Sequence, residues 1–113
     1  MQEISRDSVL AELSFHIGKE RGVRCADIVR AITWREPTEG DKRHVRHVIE
    51  DMRREGQHIC GHPGTGYFIA ANDTELNDTC NFLLNRAMTS LKQISSMKKV
   101  SLPDLHGQLR LNT

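Results

Sequence analysis

Aromatic residues make up only 4% of this sequence: one Trp, one Tyr and three Phe. An interior built on stacked rings is excluded, and a small aliphatic core is expected from the 37% hydrophobic content. Three cysteines, Cys25, Cys60 and Cys80, are an odd and widely spaced set, which argues against a disulfide framework. No apolar run reaches the roughly 18 residues of a membrane span, so no membrane partner is expected. The opening MQEISRDSVLAEL has neither the basic start nor the apolar centre of a secretory signal. A cytoplasmic location is the resulting expectation. Nor is there a surplus of one charge, since 16 Lys and Arg face 15 Asp and Glu for a net +1.

Catalytic patterns are missing as well. Gly61-His62-Pro63-Gly64-Thr65-Gly66 lacks the Lys-Ser/Thr ending of a phosphate loop and does not open a helix. No nucleophile–base–orienter set or carboxylate pair stands out, so neither enzymatic activity nor a cofactor is expected. His58, Cys60 and His62 alternate and would share one face of an extended strand. Imidazole and thiolate suit a transition metal, but a structural zinc site takes four ligands and no C-x-x-C partner exists, so no metal is expected.

What the 113 residues do contain is order. Ser5 or Asp7 caps a first helix to about Gly18, with Val9, Leu10, Leu13 and Ile17 as its apolar stripe. Val23 opens a very short strand or extended link. A second helix runs from Cys25 or Ala26 to about Trp34, with Ile28, Val29 and Ile32 inward. Pro37 disfavours helix at Glu36, and Thr38 or Asp41 caps a third helix that ends at Glu55 before Gly56. Val45, Val48, Ile49 and Met52 form its inward stripe. Gln57–Cys60 and Tyr67–Ala71 read as two hairpin strands joined by the Gly-rich loop.

From Asn72 the character changes. Asp73-Thr74-Glu75 starts a helix that continues to about Met97, longer than a domain of this size needs to cover its core. The remainder, with Pro103 and Gly107, is expected to be an extended or flexible tail. The fold class is therefore mainly α with a small β-hairpin (α+β). Residues 1–71 form one domain, residues 72–99 a long C-terminal helix and residues 100–113 a tail.

Three short helices, an extended link and a Gly-rich hairpin after the third helix resemble the winged helix-turn-helix superfamily. The most specific part is Val-Ile-Glu-Asp-Met-Arg-Arg-Glu-Gly followed by His-Ile-Cys-Gly-His-Pro-Gly-Thr-Gly-Tyr-Phe-Ile-Ala. It is similar to small winged-helix proteins of phage and prophage regions. The resemblance implies that the third helix enters the major groove of double-stranded DNA and that the wing touches backbone or minor groove.

With the aliphatic stripe inward, Lys42, Arg43, Arg46, His47 and Glu50 are left outward on the third helix. Arg pairs bidentately with guanine, and phosphates accept from any of these cationic donors. The same face also reads as a solvated surface laced with ion pairs, because five acids balance its bases. In the wing, His62 and Thr65 are the side chains placed to meet a phosphate, and Tyr67 is expected to pack.

Leu76, Cys80, Leu83, Ala87, Leu91 and Ile94 recur every three or four residues along the last helix. They could form a parallel or antiparallel seam with the same helix of a second subunit, with Leu84 and Met88 facing the chain's own domain. A helix folded back on the core is the plainer alternative. The expectation is a homodimeric, sequence-specific DNA-binding protein, a transcriptional regulator or phage-type replication or recombination accessory factor. A protein–protein adaptor on the same scaffold is the alternative, suited to the balanced charge of residues 1–71.

Overall fold

The computed structural model describes residues 2–99. Helix α1 spans Arg6–Leu13, α2 Cys25–Thr33 and α3 Glu39–Arg54. Strands β1, Ile59–His62, and β2, Gly66–Ile69, form an antiparallel hairpin, and α4 covers Asp73–Lys98. This is the mainly helical α+β architecture expected, with a long final helix. The tail expected over residues 100–113 lies outside the described residues.

Local chemistry sets the helix starts. Ser5 caps α1 by accepting from the Ser8 amide while the Ser8 side chain returns a bond to the Ser5 amide. At α3 Thr38 is the cap, and Asp41, the other expected candidate, lies inside the helix as its reciprocal partner. Gly56, at φ +94°, follows α3 in the left-handed conformation that suits glycine after a helix end.

Helix α1 stops at Leu13, a turn short of the expected Gly18. Residues 16–18 leave the helix to pair with β2: the Ile69 amide donates to the His16 carbonyl and the Gly18 amide to the Ile69 carbonyl. Ile17 is accordingly exposed rather than part of the inward stripe. Sheet pairing satisfies backbone groups that another helical turn would have satisfied, and helical spacing alone does not distinguish the two.

Val23 supplies the extended link. It exchanges two backbone hydrogen bonds with Tyr67, each 2.8 Å long. Thus β2 is flanked by β1 on one side and by residues 16–18 and Val23 on the other. Two glycines permit this approach. A Cβ on Gly22 would lie 1.9 Å from the Thr65 carbonyl oxygen, and one on Gly66 2.5 Å from that of Val23. Under the sheet, Val9, Leu13, Ile28, Val29, Val45, Ile49, Met52 and Ile59 make one aliphatic core. Phe68 is the buried ring among the core residues.

The chain divides into two compact units, with the break between Thr79 and Cys80 inside α4. The first turns of α4 are tied into the first unit through Glu75. Its carboxylate accepts from the Lys19 amide at 3.0 Å and the Ala71 amide at 2.9 Å. These bonds to Ala71 and Lys19 hold the Glu75 carboxyl below its usual range. Asp41 is held low by Arg35, which makes two hydrogen bonds to it, and then by the Thr38 amide.

A folded-state pKa below the unfolded one means the folded chain binds fewer protons. The resulting stability is complete above the unfolded carboxylate pKa of about 4 and is lost as pH falls through the folded value. Melting temperature is therefore expected to drop as pH falls below about 4. Glu75→Gln should melt lower than the parent at neutral pH and lose part of that acid drop. Circular dichroism melts across the range check both outcomes.

Candidate nucleic-acid interface

Helix α3 buries Val45, Ile49 and Met52, with Val48 packed at the core's margin. At 100° per residue, Arg43, His47, Glu50 and Arg54 fall on the opposite side, and all four are exposed. Arg46 lies a quarter turn away from that stripe's centre, toward the hairpin side that also carries Arg53.

These cations are not equivalent. Lys42 is half-buried and paired with Glu39 at 2.7 Å, which withdraws it from the outward run expected for it. Arg54 is held by Asp51 at 2.9 Å, and Arg35 is engaged with Asp41. Arg53 turns into the hairpin. Its Nε donates to the Ile59 carbonyl at 2.8 Å, and its guanidinium lies 5.9 Å from the Tyr67 ring centroid. Among the described residues, Arg43 and Arg46 enter no hydrogen bond or ion pair. They are the free positive groups of α3. Lys42 dominates the lowering of the Glu39 pKa, with Arg46 and Arg43 adding to it at longer range.

The hairpin is braced from α2. Arg24, immediately before that helix, donates from one guanidinium nitrogen to the Pro63 carbonyl and from the other to Gly64 at 3.4 Å. At the tip, His62 is exposed and its Nδ1 accepts from the Gly64 amide at 3.0 Å. Thr65 is half-buried, with its amide bonded to the His62 carbonyl and its hydroxyl to the Gly66 carbonyl. Tyr67 packs as expected: it is partly buried, and burial pushes its hydroxyl pKa up.

Cys60 is buried and its thiol donates to the Glu75 carbonyl, while His58 and His62 are exposed. Among the described residues no group of three or more His, Cys, Asp or Glu could hold a metal ion.

Arg24 and Arg53 were not singled out from sequence. Arg24 meets a loop 39 residues further along, a contact that no local spacing encodes. Trp34 was also missed. It closes α2 in the left-handed region at φ +59° and is 77% exposed. Its single signal is its place just after the last inward residues of the second helix.

On α4, Cys80 and Ala87 are exposed, Leu83 is 41% exposed, and Leu76, Leu91 and Ile94 are half-buried. Leu84 is 58% exposed. The buried position in the helix is Thr79. No helix among the described residues is long and apolar enough to cross a membrane.

Compared with protein-family models, curated proteins and solved structures, the chain matches none.

Proposed function

We propose that the chain is a double-stranded DNA-binding protein of winged helix-turn-helix type, acting as a homodimer in a regulatory or phage-type replication or recombination setting. One observation carries the reading. Two unpaired arginines, Arg43 and Arg46, stand on the solvent side of the helix that leads directly into a braced hairpin. Guanidinium groups so placed reach base edges and phosphates without first breaking an internal ion pair. Glu50, on the same face, accepts from cytosine N4, and His47 serves either role. His62 and Thr65 add phosphate contacts from the wing. A second copy doubles these contacts, which offsets the small net charge.

A gel-shift assay with duplex DNA at about 50 mM and about 200 mM salt tests this reading, because phosphate contacts make affinity fall steeply with salt. The expected result is a complex that weakens several-fold or more between the two conditions. The adaptor reading is favoured by Trp34, a strained and exposed aromatic of the kind that anchors protein contacts. It requires no DNA complex at either salt.

A further inference from the structure

Helix α4 carries a stripe that is symmetric about its own middle. Leu76 and Ile94 are 18 residues apart, five full turns, so they share one side of the helix. Between them Cys80, Leu83, Ala87 and Leu91 continue the same side. The stripe is closed by an acid at one end, Asp73, and a base at the other, Lys98. Both termini are exposed, as are Cys80, Leu83 and Ala87.

We infer that the second copy lies along this stripe antiparallel, about a two-fold axis near Asn85 and Arg86. This rests on the dimeric reading above. In that register Leu76 meets Ile94 of the other copy, Cys80 meets Leu91, and the large Leu83 meets the small Ala87. Large against small is the complementarity a close helix pair needs. Asp73 then faces Lys98 at both ends. A parallel pair would set Asp73 against Asp73 and Lys98 against Lys98, and would stack Ala87 on Ala87 with a gap at the centre. The antiparallel arrangement is the one in which charge and volume both match.

The geometry is measurable because Cys80 is exposed, whereas Cys25 is half-buried and Cys60 buried. In the antiparallel register the two Cys80 residues sit about eleven positions apart along the seam, roughly 16 Å by helix rise. A disulfide needs Cα atoms within about 7 Å. Treated with oxidised glutathione, the full-length protein is therefore expected to form no disulfide-linked dimer. Leu91→Cys is expected to form one in most chains through Cys80, and adding Cys80→Ser is expected to abolish it.

Lys98→Glu, a surface change that leaves the fold alone, is expected to weaken the dimer about threefold in sedimentation, as one exposed ion pair per end would. Restoration by Asp73→Lys in the same chain is the expected companion result. Efficient linkage of the unmodified protein through Cys80 overturns the antiparallel seam and leaves the dimer and the DNA reading standing. A monomer in sedimentation overturns the seam and the dimer together. A stable dimer in which neither Leu91→Cys linkage nor the Lys98→Glu effect is seen places the interface elsewhere and overturns the seam alone.

Discussion

Replacing Arg43 and Arg46 together by Ala is expected to reduce duplex binding by at least a hundredfold while leaving the thermal melt in place. Each good arginine contact to a base or phosphate contributes about 1–3 kcal/mol, and a dimer loses four such groups. Neither side chain makes a hydrogen bond or ion pair within the described residues, so truncation leaves the folded structure's own bonds intact. Exposed substitutions of this kind change stability by about 0.5 kcal/mol or less. The slope of affinity against salt should also flatten, by roughly 0.9 for each phosphate no longer neutralised. Arg54→Ala is the internal comparison. That residue lies on the same face but is already paired with Asp51, so its loss should cost much less binding. Binding by the double variant equal to that of the parent would remove α3 as the reading helix.

The contrast between Arg43 and Lys42 marks where sequence reasoning reached and where it stopped. Periodicity located the inward side of α3 correctly, because Val45, Ile49 and Met52 are the apolar groups available there and burying them drives the helix onto the core. It could not say which outward cations remain unpaired. That depends on side-chain geometry within a turn, such as the Lys42–Glu39 pair. The caps at Ser5 and Thr38 were legible because each is completed by a residue three positions on, and the stop at Gly56 and the hairpin turn because glycine itself marks them.

The end of α1 and the brace of the hairpin were not legible. Ile17 satisfies the helical stripe of α1 in sequence yet is exposed, because its neighbours' backbone pairs with Ile69 over 50 residues later. Arg24 braces the hairpin through carbonyls at Pro63 and Gly64. In each case the deciding partner is distant in sequence, and only topology brings it near.

Gly22→Ala is expected to be among the most destabilising single substitutions in the chain. The added methyl would sit 1.9 Å from the Thr65 carbonyl oxygen and 2.8 Å from its carbon, both backbone atoms that cannot rotate away. Link and hairpin must separate. The two Val23–Tyr67 hydrogen bonds then lengthen, and the apolar surface of Val23 and Phe68 is opened to water. The combined loss of hydrogen bonds and burial should cost about 3 kcal/mol or more, in the range diagnostic of backbone strain. For a domain of this size that lowers the melting temperature by more than about 10 °C. Gly40→Ala supplies the opposite sign. A Cβ at Gly40 meets nothing closer than the Thr38 hydroxyl at 3.7 Å, and the residue sits in the first turn of α3. Alanine there restricts the unfolded chain without strain and should stabilise by about 0.5–1 kcal/mol. Paired denaturation curves for the two variants decide the matter. A Gly22→Ala protein as stable as the parent would show that the hairpin is not held against the link by close backbone approach. The hairpin would then be held beside α3 by the burial of Ile59 in the shared core and by the hydrogen bonds of Arg24 and Arg53.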